Sequence, residues 1–295
     1  MIHITLITPE TVESLPAGDG HLSGLPAAAS ALMAAGITDR IMQLGLAIDR
    51  IEKPDPVDDP DRIAALGTFN GSIAGAVRTA LSAGSFPVLM GGTCSHLPGM
   101  IGGLQQALPP QTRLGLLWLD AHGDFNTPRT TRSGMLGGMP VAVVAGLCHP
   151  KWRDGAGMSA PLPTNRIMMV DVRNLDPEEE QLIRATDVHI VRLHEPDALR
   201  RIAGFASSVD ALYVHIDADI LDVSLQPNHP TAEPDGLAVH QTLAIVETAI
   251  RHGNVVAFGV VSVNPTGADG AISLQSGMDL IAGGLQKWSA TRRNV

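Results

Sequence analysis

Leu116-Leu117-Trp118-Leu119-Asp120-Ala121-His122-Gly123-Asp124-Phe125-Asn126-Thr127-Pro128 is an apolar run, short enough for a buried strand, that ends abruptly in Asp-x-His-x-Asp. Residues two apart in extended backbone point to the same side, so Asp120, His122 and Asp124 converge on one point. Two negative charges at the mouth of a buried sheet call for a cation. A second apolar run, Leu212-Tyr213-Val214-His215-Ile216, leads into Asp217-Ala218-Asp219 and repeats the arrangement. A lone Asp-x-Asp is ordinarily a solvated loop. Two such endings on two apolar strands make a metal-binding reading the stronger one.

The rest of the chain gives these runs their setting. Its 295 residues are 44% hydrophobic and 17% charged, enough to bury a large core, and with aromatics at 3% that core must be aliphatic. A formal charge of −10 excludes nucleic acid and anionic membrane surfaces as partners, since no basic patch could neutralise phosphates. The start, Met1-Ile2-His3-Ile4-Thr5, has no basic leader character and reads as a strand. No run approaches membrane-spanning length. Cys94 and Cys148 make no disulfide framework, so a reducing cytoplasm is the expected location.

Strands are expected at Ile2–Ile7, Ile41–Leu46, Phe86–Met90, Leu114–Leu119, Ile167–Val172, Val188–Val191, Ala211–Ile216 and Val255–Val261. Helical spacing lies between them, at Ala27–Ala35 after the Gly/Pro/Ser-containing stretch Pro16–Pro26, at Asp61–Ala83, Gly137–Gly146, Val239–Arg251 and Ala271–Gly284, with an acidic helix from Asp176. Pro54–Pro60 reads as a surface loop. Alternation of this kind predicts an α/β chain with three layers: a mostly parallel eight-stranded sheet covered on both faces. No linker or internal repeat interrupts it, so residues 1–295 read as one domain. Cys94, Asp120–Asp124, Asp217–Asp219 and Asn264 each follow a strand, the edge at which open α/β sheets bind ligands.

Four carboxylates, an imidazole and a sulfur exceed one closed zinc site and suit two divalent ions sharing a hydroxide. No Gly-x-Ser-x-Gly elbow is present, which leaves water as the nucleophile. No Gly-x-Gly-x-x-Gly follows the first strand, so a dinucleotide site is unsupported. At these residues the sequence resembles the arginase/agmatinase (ureohydrolase) family. Asp120-Ala121-His122-Gly123-Asp124 followed by Phe125-Asn126-Thr127-Pro128 matches its second metal motif and Asp217-Ala218-Asp219 its third. Gly91-Gly92-Thr93-Cys94-Ser95 stands where that family has Gly-Gly-Asp-His-Ser, and Ser262-Val263-Asn264-Pro265 where it has Glu-Val-Asn-Pro.

The resemblance implies a single arginase-like domain, commonly a homotrimer or homohexamer. It also implies hydrolysis of a guanidino or amidine C–N bond of a small molecule by hydroxide between two Mn²⁺ ions. Carried over by position, one ion would be held by Cys94, Asp120, Asp124 and Asp217, the other by Asp120, His122, Asp217 and Asp219. Asp124 would take a proton from the attacking water. Asn126, Ser133, Asp176 and Thr231 match positions that bind the substrate, and Ser262 stands at another.

Three departures bear on substrate. Cys94 replaces a histidine ligand, as in the branch that hydrolyses Nω-hydroxyarginine, to which the motifs are nearest. As a thiolate it adds a negative charge and favours an ion softer than Mn²⁺; as a buried small residue it would weaken the site. Gly137 stands in place of a proton-shuttling histidine, and Ser262 in place of the glutamate that pairs with the guanidinium, a loss for which Glu233 or Asp235 could compensate. A hydroxyguanidine, whose leaving group needs less protonation, fits the glycine at 137, whereas Ser262 separates this chain from the hydroxyarginine branch as well as from ordinary arginases. Two alternatives stay open: a hydrolase of a non-guanidine amide, and a catalytically altered relative with a structural or regulatory metal. Among the other histidines, His229, in the Pro-rich loop Gln226–Pro234, is the one that could reach the pocket. His96 is expected to point elsewhere, and His215 to pack on the face opposite the acidic pair.

Overall fold

The computed structural model describes residues 1–10, 27–55 and 57–293, so Pro16–Pro26 lies outside the described residues. Apolar, β-branched runs form eight strands: β1 (Ile2–Ile7), β2 (Leu46–Glu52), β3 (Phe86–Met90), β4 (Leu114–Leu119), β5 (Ile167–Val170), β6 (His189–Val191), β7 (Ala211–Asp217) and β8 (Val255–Val261). They join in one sheet of order β2-β1-β3-β8-β7-β4-β5-β6. Every pairing is parallel, from β1 with β2 at one edge to β5 with β6 at the other. The sheet is therefore the expected α/β arrangement, and wholly rather than mostly parallel.

Alternate residues of each strand serve opposite faces. Leu117 and Leu119 of β4, with Leu212, Val214 and Ile216 of β7, join the core beneath helices Val239–His252 and Gly270–Arg292. Leu116 and Trp118, with Ala211 and Tyr213, join the core beneath helices Arg62–Ser82 and Leu97–Ala107. Burial of both faces explains why these strands read as continuous hydrophobic runs. Asp61 caps the helix Arg62–Ser82, its carboxylate accepting from the backbone N–H of Ile63 at 3.0 Å and Ala64 at 3.2 Å.

Ile41–Leu46 is the element that differs most from expectation. Ile41 and Met42 belong to a helix, Ile37–Gln43, which buries Ile37 and Ile41 one turn apart, while Leu44 caps that helix and Leu46 opens β2. The chain then turns at Gly45, φ +74°, into β2. As the edge strand, β2 is largely uncovered, and its sequence, Leu46-Ala47-Ile48-Asp49-Arg50-Ile51-Glu52, is too polar to signal a strand. Gly137–Gly146 resolves into a short 3₁₀ turn, Leu136–Gly138, and the helix Pro140–Val144. Helices Pro150–Gly155 and Ala198–Ser207 are additional to the sequence reading.

Candidate metal centre

Four adjacent strands, in the order β3-β8-β7-β4, deliver the site at their C-terminal ends. Cys94 follows β3, Ser262 follows β8, Asp217 ends β7 and Asp120 follows β4. After β4 the chain bends at Asp120 and Ala121, and His122 and Asp124 each come to share a donor cluster with Asp120. Two site residues, Asp124 (φ +46°) and Ser262 (φ +59°), hold left-handed backbone, a strain of about 1–3 kcal/mol each that the surrounding structure must offset. Gly123 lets the loop press on its neighbours: a Cβ there would lie 2.7 Å from Leu175 Cδ2 and 2.9 Å from Glu179 Oε1.

The side chains meet closely. Cys94 Sγ donates to Asp217 Oδ2 at 2.9 Å and lies 3.6 Å from Asp120 Oδ2. His122 Nδ1 is 3.0 Å from Asp219 Oδ2 and 3.4 Å from Asp120 Oδ1. Ser262 Oγ donates to Asp217 Oδ2 at 2.5 Å, and Thr231 Oγ1 to Asp219 Oδ2 at 2.8 Å. Three overlapping sets place donor atoms close enough to share an ion: Cys94, Asp120 and Asp124; Asp120, His122 and Asp219; Asp217, Asp219 and His229. The first two fall within the ligand sets that the sequence resemblance implies.

Burial sets the electrostatics. Removal from water, followed by repulsion from the other aspartates, pushes Asp120 well above the ordinary carboxylate range. Asp124 is raised too, chiefly by burial, against the pull of His122. Asp217 rises to about 6 through burial and the charge of Asp219. Asp219 is the exception, for despite its burial the imidazoles of His122 and His229 hold it low. Burial opposes protonation of His122, yet Asp219 and Asp120 outweigh it and push that imidazole up to about 12. Burial, with Asp217, Asp124 and Asp120 nearby, raises the Cys94 thiol. Carboxylates crowded until their charge is unfavourable are an arrangement that divalent cations relieve. His229 adds a second sign: its side chain is 2% exposed and its Nε2, 3.7 Å from Asp217 Oδ1, has no hydrogen-bond partner. The donor set of carboxylate oxygens, imidazole nitrogens and one sulfur therefore fits divalent ions.

A cavity of about 200 Å³ opens onto this cluster, and all of the sequence-predicted site residues line it: Cys94, Asp120, His122, Asp124, Asp217 and Asp219 with Asn126, Ser133, Asp176, Thr231 and Ser262. Asn126 Nδ2 donates to Asp176 Oδ2 at 3.4 Å on the rim. His229, which the sequence left as the less favoured possibility, reaches the cavity, and Gly137 lines it. His96 turns away, its Nδ1 accepting from the Thr93 N–H at 3.1 Å. Neither of the two compensating carboxylates considered lines the cavity, although Glu233 stands 3.6 Å from His122 Nε2 and accepts from Asn174 Nδ2 at 2.5 Å.

Two residues require correction or addition. His215 does not face away from the acidic pair; it lies two residues before Asp217 and shares its face, with Nε2 3.5 Å from Cys94 Sγ. Glu179 was not singled out from the sequence. It lines the cavity, accepts from the Phe125 N–H at 2.8 Å, and burial pushes it up to about 7. The available signal was the spacing Asp176-x-x-Glu179, which forms a helix capping box.

A sequence profile of the Arginase family matches residues 27–283. Arginase of Bacillus caldovelox is 29% identical over 260 residues, covering 82% of this chain and 86% of its own length. Arginase of Eremothecium gossypii is 33% identical over 209 residues, covering 68% of this chain and 52% of its own. The native structure of the B. caldovelox arginase superposes with a TM-score of 0.82 at 26% identity, over 96% of this chain and 98% of that one. A Bacillus subtilis arginase shares the fold with a TM-score of 0.84 at 22% identity, over 97% and 98% of the two chains. On the strength of the profile match, the chain belongs to the arginase family, whose members are metal-dependent ureohydrolases.

Proposed function

We propose that this protein hydrolyses a C–N bond of a linear guanidine or amidine in a small polar molecule. The observation that carries the reading is the meeting of Cys94, Asp120, His122, Asp124, Asp217 and Asp219 in one buried cavity. One ion would be held by Cys94, Asp120, Asp124 and Asp217, and the other by Asp120, His122, Asp217 and Asp219. Mn²⁺ is the ion proposed from the family resemblance, with a softer ion as the alternative that sulfur favours. Divalent ions held there would lower the pKa of bound water and act as Lewis acids toward the bond under attack.

The chain's own groups do the rest. Asp124 accepts the proton of the attacking water at its carboxylate. Asn126, Ser133 and Asp176, on the rim, orient the polar end of the substrate, and Thr231 fixes Asp219 by donating to its Oδ2. Loop residues Asn126–Thr130 hold the mouth in shape through the bond from Thr130 Oγ1 to Asn126 Oδ1 at 2.9 Å. A homotrimer or homohexamer and a cytoplasmic location follow from the family resemblance and from cysteine usage. Among the described residues no helix is long and apolar enough to cross a membrane.

One observation favours a hydroxyguanidine over arginine itself. Gly137 lines the cavity where the family resemblance puts a proton-shuttling histidine, and a hydroxyguanidine, with its less basic leaving group, needs less protonation there than arginine does. The test is urea release, after loading with Mn²⁺ or Co²⁺, from arginine, hydroxyarginine, agmatine and guanidinobutyrate. Turnover is expected to be greatest with hydroxyarginine. Two bound ions per chain without hydrolysis of any of the four would sink the reading and leave amide hydrolysis or a structural metal in its place.

A further inference from the structure

Beneath Cys94 lies a string of polar groups that the reaction proposed above does not use. His215 is fully buried and stacks on Trp118, with ring centroids 4.3 Å apart and planes within 7°. Its Nε2 is 3.5 Å from Cys94 Sγ and its Nδ1 is 2.9 Å from the Tyr213 hydroxyl. Tyr213 is buried as well, and its hydroxyl fits only because residue 259 is glycine: a Cβ there would stand 2.4 Å from the oxygen.

The proton positions follow from donor counting. A buried phenol must place its hydrogen on an acceptor, and His215 Nδ1 is the acceptor within reach. Nδ1 is thereby fixed as the unprotonated nitrogen, and in the neutral ring the hydrogen sits on Nε2, directed at the cysteine sulfur. The sulfur itself donates toward Asp217 Oδ2. Tyr213, His215 and Cys94 thus form a one-way chain of donors that ends at the cluster.

We propose that the Tyr213–His215 pair is a positioning device that makes position 94 a sulfur ligand for a metal ion. This rests on the two-metal reading given above. The N–H directed at Sγ orients a lone pair toward Asp120 and Asp124 and draws off part of the charge that a thiolate adds to a carboxylate-rich centre. A hydrogen-bond donor in that place is of no use to a cysteine that merely fills space. Groups that orient ligands from behind are worth about 10–100-fold in metal affinity.

The test uses the full chain loaded with Co²⁺, read by elemental analysis and by the near-ultraviolet sulfur-to-cobalt charge-transfer band. The wild type is expected to hold two ions and show the band, and Cys94→Ser to lose it. His215→Ala should keep the band but shift it to lower energy, with affinity for one ion about tenfold weaker. Tyr213→Phe should shift it in the same direction by less, and His215→Gln, which retains a donor, should restore part of the energy. A wild type with two ions and no sulfur band overturns the proposal and leaves the two-metal reading standing, whereas a wild type that binds no ion overturns both. If His215→Ala fails to fold, a band unmoved in Tyr213→Phe overturns it alone.

Discussion

Asp217 accepts at Oδ2 from the Cys94 thiol and the Ser262 hydroxyl, and at Oδ1 from the Asp219 N–H at 2.9 Å. A residue so bound between two proposed ions has little tolerance for change. Asp217→Asn, similar in shape but without charge, is expected to reduce bound metal from two ions to one or none and to lower turnover at least about a hundredfold. Elemental analysis of protein purified without chelator, set beside urea release, checks both parts. The ligand pairs were legible as Asp-x-His-x-Asp and Asp-x-Asp endings on apolar runs, although the strand rule of two stops short of them: Asp124 is left-handed and Asp219 lies in a 3₁₀ turn. The same rule, applied correctly, puts His215 beside Asp217. His229 and Glu179 obey no such period. One comes from a Pro-rich loop and the other from a helix start, so only the folded chain shows that they line the cavity.

Elements carry their own predictions. The Asp61 cap serves the longest helix over the second core, and Asp61→Ala is expected to cost about 1 kcal/mol, measured as a shift in the urea midpoint at unchanged slope. At the opposite end of the sheet from the site, Arg113 at the entry to β4 grips Asp210 at the entry to β7, with Nε at 3.0 Å and Nη2 at 2.7 Å from its two oxygens. The guanidinium bond, with the Arg113 N–H, holds the Asp210 carboxyl at about 2. A lowered acid stabilises the fold above its unfolded value, near 4, and that stabilisation is lost as pH falls through about 2. The pair is exposed, so the effect is small. Arg113→Ala should remove the larger part of the shift and leave what the backbone N–H of residue 113 contributes, seen directly in the Asp210 carboxyl resonance during an acid titration. Buried strands β3, β4, β7 and β8 were readable because both faces are covered. Edge strand β2 was not, since half of it meets water and its pattern resembles that of any amphipathic segment.

For the molecule as a whole, crowded carboxylates make the ion-free protein the less stable form. Binding at a hundred times the dissociation constant contributes about 2.7 kcal/mol per site. Removing ions with a chelator is therefore expected to lower the melting temperature by several degrees, and Mn²⁺ or Co²⁺ to restore it. An unchanged transition would argue against ion binding in this cavity. The layered fold was legible from the alternation of apolar runs and helical spacing, but strand order was not, because parallel crossovers leave no local trace in the sequence. That order has a further consequence. The segments that complete the centre stand 45 to 168 positions apart, from Cys94 to Asp217 to Ser262, yet become neighbours only when β7 and β8 slot between β3 and β4. During synthesis, then, a nascent chain emerging from the ribosome cannot capture its ions early: half of the pocket's floor is still untranslated when the first ligands have already left the exit tunnel.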